Sequence, residues 1–172
     1  TRKLARIDFD NAPAQLLGEL DSAGATMTRV LDLAAVALAS ESVGGAQKML
    51  DSALDYAKMR MQFGRLIGSF QAIKHKCADM LVRVESARSA VYYAAAAQAE
   101  GDPELPTLAS LAKAYCSDAY FRCAADSIQI HGGVGFTWEY DVHLYFKRAK
   151  SSETLLGDAP FHRERITRQI GL

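Results

Sequence analysis

Along one stretch of the chain the apolar residues recur at alternating intervals of three and four: Phe70, Ile73, Cys77, Met80, Val84, Ala87, Val91 and Ala94. A strand alternates its faces every second residue, so this spacing belongs to a helix and lines all eight side chains along one narrow stripe. So long and narrow a stripe is a bundle seam, and a helix over 70–99 needs other helices to cover it. The rest of the sequence supplies them. Residues 23–59, rich in Ala, Leu and Met, predict one helix about 55 Å long at ~1.5 Å per residue. Its middle is built of small residues (Ala34, Ala35, Ala37, Ala39, Ser40, Ser42, Gly44, Gly45, Ala46), which let a neighbouring helix or a ligand approach the backbone closely; helix packing is the commoner use.

A polar loop is expected over 60–69. After the break at Gly101-Asp-Pro-Glu-Leu-Pro106, Thr107 is placed to cap a third helix with Leu108, Leu111, Tyr115 and Ala119 on its buried face, ending at Gly132-Gly133. Thr137 can cap a fourth helix to about Lys150, with Glu139 and Asp141 in its first turn, and Asp158-Ala-Pro160 starts a short last one reaching Ile170. The opening residues 4–9 alternate apolar and polar, predicting one strand. A lone strand is not stable, which marks residues 1–20 as the tail of a missing β-domain and 21–172 as the helical unit. The expected fold is all-α: an antiparallel four-helix up-and-down bundle with a short terminal helix, preceded by one orphan strand.

Composition narrows the chemistry. Hydrophobic residues at 49% specify a globular chain, and 20 Lys plus Arg against 20 Asp plus Glu argue against nucleic acid or an anionic membrane as partner. No apolar run approaches the ~20 residues of a membrane span. Cys77, Cys116 and Cys123 include no closely spaced pair, and Cys116 and Cys123 lie two turns apart on one helix, beyond disulfide reach. They read as small buried hydrophobes of a reducing compartment, which with no targeting segment points to the cytoplasm. His75, His131, His143 and His162 are scattered and no Glu-x-x-His pair is present, so no metal site is expected. No serine lies in a Gly-x-Ser-x-Gly elbow.

Two segments carry specialised chemistry. Over 60–71, Arg60 stands beside glycine-loosened backbone suited to holding a phosphate, and Phe63 and Phe70 can pack on a planar ring. Over 129–135, the glycines of Gln-Ile-His-Gly-Gly-Val-Gly leave backbone N–H groups open to a ligand. Either alone fits an ordinary loop equally well. Together, in the order long helix, Arg-x-x-Phe-Gly-x-x-Ile-x-x-x-Gln, two helices and Gln-Ile-x-Gly-Gly-x-Gly-Phe, the chain resembles the C-terminal domain of acyl-CoA dehydrogenases over essentially its whole length.

The resemblance implies FAD as cofactor, an acyl-CoA substrate oxidised at its Cα–Cβ bond, and electron-transfer flavoprotein as acceptor. It implies a homo- or hetero-oligomer, dimer or tetramer, formed through the bundle. By position it implies that Arg60, Gln62, Phe63, Phe70 and Gln71 contact the FAD of a neighbouring subunit, and that Gln129, Ile130, His131, Gly132 and Gly133 reach its adenosine–pyrophosphate end. Asp32 aligns near the CoA moiety, where an exposed structural aspartate is an equal alternative. The family's catalytic glutamate is missing. Leu156 stands at its usual position and Ala34 at its alternative one on the first helix, with Ala35 where many members have arginine; neither leucine nor alanine can accept a proton. Glu153, one turn before Leu156, and Glu41, two turns beyond Ala34, are the two carboxylates that could substitute, and a structural carboxylate is the commoner role for each. The expected function is therefore an acyl-CoA dehydrogenase domain that supplies FAD contacts without its own base, as in hetero-oligomeric bacterial members. A competent subunit with a relocated base, or a non-enzymatic oligomerisation module, are the alternatives.

Overall fold

The computed structural model describes residues 2–172. Five helices follow one another: α1 Gly24–Met59, α2 Gln71–Glu100, α3 Leu105–His131, α4 Val142–Thr154 and α5 Ala159–Gln169. α3 is the axis of the fold, packing on each of the other four, while α1 also touches α2 and α4. This central place explains its composition. Ala109, Ala112, Cys116, Ala119, Cys123 and Ala124 are buried because only small side chains let several helices approach one backbone. Ser110 is buried too, and its hydroxyl donates to the Pro106 carbonyl 2.9 Å away, which satisfies it within the helix. The seam of α2 lies where its spacing put it: Met80, Val84, Ala87, Val91 and Ala94 are buried, and Phe70, Ile73 and Cys77 are half-buried at its start. The all-α bundle with a short terminal helix is the observed architecture.

Four local expectations are corrected. Residues 4–9 form no strand: no other backbone runs beside them to make a ladder, and Leu4, Ile7 and Phe9 are exposed. α3 starts two residues before Thr107, since Pro106 needs no N–H partner in a first turn; the Asp102 carboxylate accepts from the Glu104 N–H at 2.8 Å instead. On α3, Leu111 and Tyr115 are exposed while Leu108 and Ala119 are buried, because the small-residue face, rather than the large one, meets the other helices. Thr137 ends a 3₁₀ turn over Gly132–Phe136 by donating to the Val134 carbonyl, and α4 begins only after Asp141, leaving Glu139 and Asp141 ahead of its first turn.

Residues 60–69 are more ordered than a loop. Strands β1 Met61–Gln62 and β2 Arg65–Leu66 pair antiparallel, Met61 opposite Leu66, and a 3₁₀ turn over Ile67–Ser69 leads into α2. The two turn residues between the strands, Phe63 and Gly64, both have positive φ (54° and 74°), as a tight two-residue hairpin requires. Glycine accepts that conformation freely; phenylalanine does not. Cys116 and Cys123 are buried as expected, and burial pushes both thiols up to about 12, out of the range of thiolate chemistry.

Candidate functional site

The ends of α1 and α3 meet in an aromatic cluster. Tyr56 stacks on His131 with ring centroids 4.3 Å apart, and Tyr140 sets its edge against both rings, at 5.5 and 5.1 Å. His131 is 4 % exposed, and its Nδ1 donates to the Ser127 carbonyl at 2.8 Å. Burial holds its imidazole below the ordinary histidine pKa, so the ring is neutral at neutral pH. This cluster fixes the hairpin after α1 against the 3₁₀ turn after α3. Tyr56, Met59, Arg60, Met61, Val134, Glu139 and Tyr140 then line a cleft of about 460 Å³. The two segments singled out in the sequence, some seventy residues apart, thus share one site.

The expected cofactor residues divide by exposure. Arg60, Gln62, Gln71, Gln129, Gly132 and Gly133 face solvent, and a side chain added at either glycine would meet nothing within 4 Å. The Arg60 guanidinium forms no ion pair with any described residue. Phe63 is 91 % exposed at the hairpin tip; Phe70, half-buried, meets it edge-on at 6.2 Å and carries the Arg65 guanidinium 4.0 Å above its ring. Ile130 and His131, by contrast, point into the protein and support the others from behind. A free cation, glycine backbone open to close approach and an exposed aromatic ring suit a group with a pyrophosphate and planar rings. Glu139 is the one opposing charge in the cleft.

A second cleft, about 440 Å³, surrounds Leu156. Thr28, Leu31, Leu156, Gly157, Phe161, His162 and Arg165 line it. None is a carboxylate. Ala34 is half-buried one turn beyond Leu31 on α1. Asp32 is not an exposed helix residue: it is 2 % exposed and paired with Arg165 at 2.5 Å, because α5 folds back over the start of α1. Glu153 instead bonds Lys150 at 2.7 Å and lines a different cleft with Arg83, Asp118 and Arg122. Glu41 accepts from Arg148 and Arg2, each at 2.8 Å, beside a groove of about 770 Å³ bordered by Gly44, Gly45, Tyr120 and Tyr145. The hydrogen bond from Arg148 holds its carboxyl below the usual range.

Two side chains that bond the backbone around Leu156 escaped the sequence reading. Lys113, fully buried on α3, reaches the carbonyls of Glu153 and Gly157, and His162 reaches that of Leu156. The available signal was a lysine inside the small-residue row Ala109, Ala112, Cys116, where a charge must find internal partners. Among the described residues no group of three or more His, Cys, Asp or Glu could hold a metal ion, and no helix is long and apolar enough to cross a membrane.

The profile of the family "Acyl-CoA dehydrogenase, C-terminal domain" matches residues 23–171. Acyl-CoA dehydrogenase IpdE2 of Mycobacterium tuberculosis is 47% identical over 127 residues, covering 74% of this chain and 38% of that protein. Acyl-CoA dehydrogenase FadE34 of the same organism is 45% identical over 168 residues, 95% of this chain and 22% of that protein. The chain therefore spans about two fifths or less of the curated relatives it matches. A solved FAD-dependent dehydrogenase superposes with a TM-score of 0.78 at 36% identity, covering 83% of this chain and 38% of that one. These likenesses support FAD as the cofactor. By profile, sequence and fold alike, the chain belongs to the acyl-CoA dehydrogenase family and corresponds to its C-terminal helical domain.

Proposed function

We propose that this chain completes the FAD site of an acyl-CoA dehydrogenase across a subunit interface and contributes no catalytic base of its own. The observation that carries the first half is that the Arg60 hairpin and the Gly132–Phe136 turn meet at one cleft, through Arg60, Met61 and Val134. Arg60 would pair with the pyrophosphate, the exposed, side-chain-free backbone of Gly132 and Gly133 would let it approach closely, and Gln62, Gln71 and Gln129 would supply hydrogen bonds. Phe63 and Phe70 would pack on a ring face, with Ile130 and His131 setting the backbone behind the glycines. FAD, when bound, supplies the hydride acceptor for α,β-dehydrogenation of a CoA thioester.

The second half rests on the carboxylate-free cleft around Leu156. Proton abstraction needs a base within hydrogen-bond reach of the substrate carbon, roughly 3 Å. Glu153 and Glu41 are each engaged in ion pairs and line other clefts, which weighs against either as a relocated base. The base then comes from a related dehydrogenase subunit in a hetero-oligomer, with electron-transfer flavoprotein accepting the electrons. Asp32, locked to Arg165, would act on the CoA moiety only by orienting that arginine. The exposed Leu4, Ile7 and Phe9 fit the end of a β-domain that would pack against them.

The test uses the full-length protein carrying this chain, purified without partners and mixed anaerobically with a panel of acyl-CoAs. Flavin absorbance is expected to persist without bleaching, and to bleach once a base-bearing homologue is co-expressed. Bleaching of the lone protein would overturn the base-lacking reading. In the complex, Arg60→Ala is expected to weaken flavin retention at least tenfold; unchanged retention would favour a plain oligomerisation module.

A further inference from the structure

The turn that carries Leu156 is held in place by side chains of two other helices. Lys113 of α3 is fully buried and spends its three donors on the Gly157 carbonyl at 2.9 Å, the Glu153 carbonyl at 3.3 Å and the Ser117 hydroxyl at 3.4 Å. His162, in the first turn of α5 and 2 % exposed, bonds the Leu156 carbonyl through Nε2 at 3.0 Å. A carbonyl only accepts, so Nε2 carries the proton, and Nδ1 is left buried without a partner. The Glu153 carbonyl belongs to the last turn of α4, where a helix leaves carbonyls without partners of its own. Leu156 and Gly157 lie beyond that end and line the cleft with Leu31 and Phe161.

The backbone they hold is unusual. Leu156 has φ 62°, a conformation that a leucine rarely adopts and that persists only where the surroundings enforce it. Gly157 follows at φ 99°, and a Cβ there would lie 2.3 Å from the Phe161 ring, so the turn cannot relax towards α5. A turn serving only to join α4 to α5 would need neither a left-handed leucine nor two buried donors.

We propose that Lys113 and His162 are positioning residues: a two-sided clamp on the carbonyls of Leu156 and Gly157 that seats the Leu156 side chain in the cleft wall and sets how tightly the cleft holds an acyl chain. The inference rests on the acyl-CoA reading above. An acyl chain meets the apolar wall of Leu31, Leu156 and Phe161, whereas the CoA portion would meet Arg165, which Asp32 rather than the clamp holds in place. Loss of the clamp therefore separates the affinities for the two portions.

The experiment compares His162→Leu, which removes the donor, with His162→Gln, whose amide nitrogen retains it, in the full-length flavin-loaded complex. Decanoyl-CoA and coenzyme A are titrated by calorimetry, and hydrogen exchange is followed over 153–162. In His162→Leu, decanoyl-CoA affinity is expected to fall at least tenfold and coenzyme A affinity to stay within twofold, with exchange in the turn at least tenfold faster. His162→Gln should stay within threefold of the unmodified protein in all three. Lys113→Met gives the same split through the other side of the clamp, and serves alone if His162→Leu does not fold. Equal losses for decanoyl-CoA and coenzyme A, or identical behaviour of the Leu and Gln variants, would overturn the clamp. If the unmodified protein binds neither ligand, the acyl-CoA reading fails instead; faster exchange in the Leu variant but not the Gln variant then still supports the clamp, and equal exchange overturns it.

Discussion

Gly45 shows how little room a single position in α1 has. A Cβ there would lie 2.3 Å from the ring of Tyr120, one of the largest fully buried side chains in the core. Gly45→Ala improves helix propensity but displaces that ring, and overpacking of this kind costs about 1–3 kcal/mol. Urea unfolding should show the loss; a neutral or stabilised variant would mean that Tyr120 moves freely. Gly44, one residue away, meets nothing within 4 Å, so the same change there serves as the control. The buried titratable groups give a second prediction. Burial lowers Lys113 from its ordinary 10.5 to about 8. Between those values the unfolded chain holds a proton that the folded chain has released, so the Lys113 contribution makes stability rise with pH across that window. His131 and His162 are lowered chiefly by burial as well, so the unfolded chain protonates first and stability falls as pH drops below the ordinary histidine value of 6.5. The stability of the unmodified protein relative to Lys113→Met should therefore climb from pH 8 to 10; a flat difference would contradict this assignment.

At the scale of elements, helix ends place the site residues. α5 begins with an N-cap: the Asp158 carboxylate accepts from the Phe161 N–H at 3.0 Å, and Pro160 occupies the first turn. This cap carries more than local helix stability, because α5 brings His162 to the Leu156 turn and Arg165 to Asp32. Asp158→Ala should cost about 1 kcal/mol and lower the thermal midpoint by a few degrees. Restoration of the midpoint by Asp158→Ser or Asp158→Asn would identify the cap as the cause. The cap was readable from Asp-Ala-Pro alone, since both preferences are local. The 61–66 hairpin was not, because a Phe-Gly turn breaks the usual preference for Asn or Gly at the first turn position and two-residue strands carry no periodicity.

At the scale of the whole molecule, the Asp32–Arg165 pair ties the first helix to the last. Asp32 is nearly fully buried and Arg165 about one-fifth exposed. Removing the arginine strands a buried carboxylate, at a cost of about 2–3 kcal/mol, somewhat below the ~3–5 kcal/mol of a fully buried pair. Arg165→Ala should show this loss in urea unfolding, and Asp32→Asn added to it should recover a good part. A double variant no more stable than the single one would place the effect in lost packing of the arginine stem. The same link turned an aspartate that reads as a ligand contact or an exposed surface residue into a buried tie, because α5 returns over α1 only in the folded chain.

The sequence by itself determined the helical bundle, the α2 seam, the start of α5, the family, and the absence of a carboxylate at positions 34 and 156. Each is written in residue identity or in spacing along a few turns. Only the tertiary structure decided which faces of α3 are buried, that Arg60 shares a cleft with Val134 and Tyr140, that Glu41 and Glu153 are tied up in ion pairs, and that Lys113 and His162 both bond the turn that carries Leu156. The physical reason is common to all four. Periodicity along one helix specifies that a face must be covered, whereas the partner that covers it, and the distance at which two side chains meet, depend on how several helices pack at once.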